Sequence, residues 1–494
     1  MIRLSRVLCA LLVLLPVPSL AQSRLPEDFI ISGDDGELLG WQQTQTVGDG
    51  ETRHSIVARR LAYTVDGHRP THGETTLIIR EAGERWETLE YQVGSDGRER
   101  RFRIALTETE AVIEELGRGG TTSTQAIDPA LPLGQPELLV GLPVGAFQTF
   151  DPGRGRIVRR EGRLVELPPE GASARQLYLI YEDGQPIDGW IVARDGEAGI
   201  AFAVRPNFAT PLRFARASAG SPLGDPPGNA RVGHPMIVSP YDIPPGARDG
   251  HMRFGLGLPQ AIAEALPQTV EQAVQATDGG VRIDVCNDCG PGLPTDPAAL
   301  ARWTQPTPWL QSDDRVIADA GRAARRHAAS DANVMAELAR ITRRRLRDVD
   351  FAGHYSASAA WRRHAGDCTE DAVLLAALAR AAGIPALVAS GMVYTRERYH
   401  GTHDAFIPHS WVVAYLDGAW RSIDMTLGAF DSTHVALTLG EGDAQSVAAS
   451  YFLAGLIEWR DLAEVRRRPA DQARLGGSAD EPLARSSRLT GSSS

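Results

Sequence analysis

A multidomain chain, antiparallel all-β in its N-terminal region and α+β towards its C-terminus, is predicted by three observations. Short β-rich segments punctuated by turns fill residues 25–215. Apolar residues recur at helical spacing only from about Asp314 onward. Strand-like segments then return from Ala386.

The chain opens with MIRLSRVLCALLVLLPVPSLAQS: an Arg-bearing start, an apolar stretch and a small-residue ending before Gln22. This is the layout of a cleaved secretory signal over residues 1–21. An uncleaved anchor is the alternative, and the short apolar core argues against it. Cys9 lies inside the apolar stretch and is expected to leave with the signal. No later segment is apolar enough to span a bilayer, so a periplasmic or secreted protein without a transmembrane anchor is expected.

Residues 22–216 are expected to form the β-rich N-terminal domain. YTVDGHRP, YQVGSDGRERRFRI and LYLIYEDGQPIDGW each place Asp-Gly between β-forming runs, the strongest short-range hairpin signal. Gly, Pro, Ser and Asn crowd 217–235, which reads as a linker. A second, small β unit is expected at 236–295, ending in GGVRIDVCNDCG. Residues 296–465 follow as the α+β domain, and the polar, small-residue-rich 466–494 as a disordered tail.

The net charge of −11 argues against nucleic acid as a partner. All 51 basic residues are arginine, so the protein cannot crosslink itself through its own side-chain amines. Without Cys9, the cysteines are Cys286, Cys289 and Cys368. An odd count in an oxidising compartment leaves one thiol free. Cys286 and Cys289 read as a small-ring disulfide or a free pair. A metal site there needs two more ligands, and none follows nearby. No acidic cluster has calcium-loop spacing, and no cofactor is expected.

Cys368 stands in HAGDCTEDAVLLAAL, at the mouth of a nearly all-apolar helix that Gly383 and Pro385 end. Unpaired N–H groups and the helix dipole favour a thiolate there, while Asp367 and Glu370 oppose it. Gly366 is read as allowing close passage of a substrate, and it argues against a helix starting early enough to turn His364 towards Cys368. A thiolate needs a base, and His400, His403 and His409 lie downstream. His409 is favoured because it opens a strand. If Asp417-Gly418 is a two-residue turn, Leu416 faces Ala419 and Trp411 faces Asp424. His409 and Asp424 then become diagonal neighbours on one sheet face, within reach of each other. A slip of one residue would separate them. The result is a candidate triad of Cys368 as nucleophile, His409 as base and Asp424 as its brace, with the Cys368 N–H as an oxyanion donor. Trp361 and Tyr355 read as core aromatics.

GDCTEDAVLLAALARAAGIPALVASGMVY, then HSWVVAYLDGAWRSIDMT and DSTHVAL, resemble the transglutaminase-like superfamily of papain-like cysteine enzymes, in its bacterial exported branch. The resemblance spans about residues 315–445 and implies Cys368, His409 and Asp424 as the family triad. It also implies an α+β domain in which the cysteine helix packs on an antiparallel sheet. Leu387 stands where the family often has Arg, and Ser410 where it commonly has Met. Asp431 and His434 in DSTH are read as structural, tethering a loop. The implied chemistry is attack on a peptide or glutamine amide to form a thioester. Water as second substrate makes the protein a hydrolase or peptidase, the expected activity, on a protein or peptide substrate, with the cell envelope as one source of it. An amine acceptor makes it a transamidase, and an idle triad a binding or envelope-assembly module.

Overall fold

The computed structural model describes residues 28–465, apart from 34–35, 49–51, 66–69, 83–84, 96–97, 118, 171–172, 195–199, 207–210, 219–223, 225, 227, 229–230, 233–235, 327, 350–353 and 398–401, and also residues 486–488. The expected signal, most of the expected linker and most of the expected tail thus lie outside the described residues. No helix among the described residues is long and apolar enough to cross a membrane.

Among the described residues, fourteen strands, antiparallel and almost free of helix, run between Phe29 and Arg216. The chain divides into two compact units: one takes residues up to 159 together with 214–231, the other 160–213 together with 232–494. In the first unit, long strands pair with their sequence neighbours, as Thr52–Val65 does with Leu38–Gly48 and Pro70–Ala82. Alternate side chains such as Leu77, Ile79, Leu89, Phe102, Ile104 and Phe150 form its core.

The unit boundary near residue 160 differs from the expected one at 216, and packing gives the reason. Ser173–Glu182 and Gln185–Arg194 form a hairpin closed by Asp183-Gly184, both with positive φ (50° and 78°). Leu177, Leu179 and Tyr181, on one face of it, join Phe254, Met392, Tyr394 and Phe452 in a single core. That hairpin therefore belongs with the C-terminal residues. The small β unit also gains a distant member: Met252–Gly257 pairs on one side with Gly280–Val285 and on the other with Glu458–Val465. Ser486–Arg488, within the expected tail, adds to Glu458–Val465.

The helix Cys368–Ala381 is the centre of the second unit. Every residue from Ala372 to Arg380 is buried, so it is apolar all round and enclosed by other elements. Arg380 keeps its charge there by donating to the carbonyls of Ala386 and Gln305, at 3.0 and 2.9 Å. Burial still lowers its pKa to about 10. One face packs on the helices Arg315–Arg326 and Asp331–Arg345, whose Ile317, Val334 and Leu338 share its core. The other meets a sheet in the order Ile237–Val238, Ala405–Leu416, Ala386–Thr395, Val435–Gly440, with Ala419–Ile423 also on Ala405–Leu416. This is the α+β arrangement expected from sequence.

Candidate active site

The start of the cysteine helix is fixed by its own side chains. Asp367 is the N-cap and accepts the Thr369 N–H at 2.9 Å. Glu370 answers by accepting the Asp367 N–H at 3.1 Å, completing a capping box, and also takes the Tyr355 N–H at 3.0 Å. Gly366 does not leave room for substrate, as the sequence suggested. A Cβ there would lie 2.4 Å from the Glu370 Cβ, so the glycine makes space for the buried Glu370. His364 has φ 57° and ends the preceding helix, Ala357–Arg363, so it is no partner within the cysteine helix. Tyr355 lies under the Arg363 guanidinium at 3.9 Å and Trp361 under that of Arg345 at 4.4 Å. Cys368 is half-buried and free.

Asp417 and Gly418 both have positive φ and close the two-residue turn. Leu416 faces Ala419, and the pairing continues in step to Val412 opposite Ile423. Asp424 follows directly, on the His409 side of the sheet. His409 Nε2 lies 2.8 Å from Asp424 Oδ2. The other carboxylate oxygen, Oδ1, accepts the N–H groups of Thr426 and Leu427 at 2.8 and 3.1 Å. With Nε2 taken, Nδ1 is the His409 nitrogen left for a proton. The Ser410 N–H, next in the strand, lies near enough to the Cys368 sulfur to favour its anionic form. The helix start and the histidine strand therefore meet at this point. Ser410 turns its hydroxyl to Ser390 at 2.9 Å, and Leu387 packs among Trp411 and Trp420. His403 is exposed and held by Asp404 at 2.7 Å, while His400 lies outside the described residues.

Sequence reasoning undervalued His434. Its Nε2 lies 3.0 Å from Asp424 Oδ2, the atom that also holds His409. Its Nδ1 faces the backbone N–H and the Oδ1 of Asp431, both at 3.1 Å. Asp431 in turn accepts from Arg248 Nε at 2.7 Å. The residues of DSTH thus do tether a loop, but onto the carboxylate beside His409. The chain His409–Asp424–His434–Asp431–Arg248 runs through the interior, its first three members 4, 5 and 1 % exposed. Trp411 and Phe430 pack on the His434 ring, with centroids at 5.2 and 4.7 Å. Nothing in the local spacing of DSTH signals a contact ten residues back, because a loop and a strand change separate the two.

Charge follows this geometry. Burial alone would raise Asp424, but hydrogen bonds from His409 and His434 outweigh it and hold the carboxyl far below its usual range. Asp431 behaves likewise, at about 2. His434 is disfavoured as a cation by burial, yet its bonds to Asp424 and Asp431 leave it above the ordinary histidine value. Cys368 goes the other way from the sequence expectation. Burial, then the Asp367 charge, push its thiol well above the usual value, and the Ser410 N–H only partly compensates. Asp371 and Glu370 push in the same direction. The helix dipole is outweighed by desolvation and three nearby carboxyl groups, so the resting sulfur is a thiol.

Asp367→Asn keeps the cap acceptor and removes the largest of those charges. The alkylation rate of Cys368 by iodoacetamide should then rise at a lower pH than in the wild type; an unmoved or upward-shifted profile would contradict this electrostatic account.

Glu370 and Asp371 are themselves raised, to about 8 and about 7, by burial first. Both bind a proton more tightly folded than unfolded, where they titrate near 4.5 and 3.8. Their contribution is full below the unfolded values and is lost as pH rises towards the folded ones. Asp424 and Asp431, depressed in the fold, contribute only above the unfolded value of 3.8 and lose it as pH falls. Melting temperature should therefore fall between pH 5 and pH 8, and Asp371→Asn should flatten that fall. Unchanged slopes in thermal scans would count against the assignment.

A cleft of about 450 Å³ opens beside Asp424, lined also by Glu271, Asn287, Arg421 and Phe430. Cys286 and Cys289 are joined as a disulfide, their Cα atoms 5.5 Å apart.

Residues 322–425, which include Cys368, His409 and Asp424, match the family model of the transglutaminase-like superfamily. No curated protein matches the chain. Among solved structures, the chain is similar to a candidate cysteine protease from Cytophaga hutchinsonii, at 16 % identity and TM-score 0.27, over 43 % of this chain and 82 % of that one. It is also similar to the periplasmic domain of TgpA from Pseudomonas aeruginosa, at 14 % identity and TM-score 0.25, over 54 % and 81 %. A β-barrel-like protein of the DUF1849 domain from Brucella abortus aligns at 11 % identity and TM-score 0.30, over 39 % and 95 %.

Proposed function

We propose, on the premise that residues 322–425 are a transglutaminase-like core, that this protein is an exported thiol hydrolase or peptidase acting on amide bonds. The observation that carries the reading is the His409–Asp424 pair at 2.8 Å, which leaves Nδ1 of His409 as the nitrogen to serve Cys368. Cys368 is the nucleophile, His409 the base and then the acid, and Asp424 the group that fixes the tautomer.

Because the resting sulfur is a thiol, His409 takes its proton as the sulfur attacks the carbonyl carbon. The S–C bond forms, and the tetrahedral oxyanion faces the Cys368 N–H at the helix start. The protonated His409 returns its proton to the leaving nitrogen, the C–N bond breaks, and a thioester remains. Water, deprotonated by His409, then releases the acid and regenerates the thiol. Transfer to an amine is the runner-up outcome of the same thioester. Hydrolysis is preferred because water is the abundant acceptor wherever no amine is bound.

The test uses denatured casein with wild type and Cys368→Ala. New amino termini or ammonia, seen only with Cys368, support hydrolysis. Incorporation of dansylcadaverine without either would replace it by transamidation. No product, together with no labelling of Cys368 by a peptidyl vinyl sulfone, would leave a binding module.

His434 braces Asp424 in this reading. His434→Phe removes the bond to the buried Asp424 carboxylate along with those to Asp431; the Asp424 bond alone is worth about 1.5–3 kcal/mol, so turnover should fall at least roughly 10- to 100-fold. His434→Gln retains a donor and should recover most of it. Equal losses in the two variants, measured as kcat, would show that the ring itself rather than its N–H is required.

A further inference from the structure

The pair Cys286–Cys289 has a third neighbour, supplied not from downstream but from 35 residues before it. Met252 faces Val285 across the antiparallel pairing of Met252–Gly257 with Gly280–Val285. One step beyond, His251 stands opposite Cys286. A ring nitrogen of His251 and both sulfurs lie within 4.8 Å of one another. His251 Nε2 lies 2.7 Å from Asp284 Oδ1, and Arg253 Nε holds the same oxygen at 2.8 Å. This fixes the ring and leaves Nδ1 as the nitrogen with a lone pair to offer. The loop is also fixed by its backbone: the Cys286 N–H donates to the Glu271 carbonyl at 3.0 Å and the Gly290 N–H to that of Val270 at 2.8 Å.

We propose that, once the disulfide is reduced, Cys286, Cys289 and His251 form a site for a divalent cation of the zinc class, with the fourth position open. A Cys-x-x-Cys pair supplies two neighbouring vertices of a tetrahedron, and a histidine oriented by a carboxylate supplies a third. The S–S bond occupies both sulfurs, so the oxidised form excludes the metal and the site is gated by redox state. Opening it takes a dithiol reductant: two electrons and two protons pass to the sulfurs, and the reductant leaves as its own disulfide. Metal binding then displaces the thiol protons. The sulfur and imidazole donors favour zinc, or its spectroscopic stand-in cobalt(II), over calcium or magnesium.

The test takes the full chain as the double variant Cys9→Ala, Cys368→Ala, which leaves these two thiols without a competitor, and titrates it anaerobically with cobalt(II) alone. The reduced protein should bind one equivalent with sulfur-to-cobalt charge-transfer absorption, and the oxidised protein none. Asp284→Asn should weaken binding about 10- to 100-fold, as outer partners of ligating histidines do. His251→Gln should weaken it further. Absence of binding by the reduced protein overturns the proposal, as does equal affinity with and without the His251 imidazole. If His251→Gln fails to fold, as judged by near-ultraviolet circular dichroism, an unchanged affinity in Asp284→Asn overturns it instead. None of these outcomes depends on the chemistry of Cys368.

Discussion

Asp424→Asn should lower turnover by about four orders of magnitude while leaving the protein folded. The reason lies in how the carboxylate is used. Oδ1 accepts two backbone N–H groups, from Thr426 and Leu427, so an asparagine must keep its carbonyl oxygen there. Its NH₂ then points at the two imidazole nitrogens that Oδ2 now holds, His409 Nε2 and His434 Nε2. A donor facing a donor is untenable, so His409 moves its proton to Nδ1. That is the nitrogen proposed to accept the thiol proton, and the base is lost without any displacement of the ring. Nitrogen-15 spectra of histidine should report the tautomer change directly. Turnover within tenfold of the wild type, with the tautomer changed, would mean that His409 is not the base.

The second large effect is on the sheet itself. Gly391 lies directly opposite His409 in the central strand Ala386–Thr395. On its other side the pairing with Val435–Gly440 shifts register between Ser390 and Gly391, a bulge that draws the strands together. A Cβ on Gly391 would sit 2.0 Å from the Val435 carbonyl oxygen and 3.0 Å from the Leu437 nitrogen. Both are backbone atoms and cannot rotate away. Gly391→Ala should therefore cost about 3 kcal/mol or more, at the upper end for overpacking. It should also reduce activity in what remains folded, because the strand that moves is the one beside His409. Gly383→Ala is the useful contrast. Its φ is 79° but nothing lies within 4 Å of the added carbon, so only the backbone term of about 1–2 kcal/mol applies. Comparable melting temperatures for the two variants would refute the steric account.

Much of the site could be read from local rules. Asp417-Gly418 demanded a two-residue turn, the turn set the register, and the register brought His409 and Asp424 together. A helix opening at Cys368 followed from the acidic residues at its start and an apolar run that stops at Gly383. What escaped were the features set by distant packing. His434 reaches Asp424 only because the chain leaves the sheet after Ile423 and re-enters it at Val435. The hairpin at residues 173–194 joins the second unit because Leu177 and Tyr181 find Phe254 and Phe452, and no spacing rule encodes that. The thiol state of Cys368 was misjudged because the dipole is visible in a sequence, whereas desolvation and the inward turn of Glu370 are not. The nearness of His251 to Cys286 is hidden for a related reason: it arises from strand pairing with residues some 35 positions earlier.

The dependence of Cys368 on His409 is the most direct test of the account. Wild type and His409→Gln should each be treated briefly at pH 7 with a peptidyl vinyl sulfone and weighed as intact protein, with the modified residue located by fragmentation. The account predicts one adduct, on Cys368, in the wild type and almost none in the variant. Equal modification of both proteins, or an adduct elsewhere in the wild type, would contradict it.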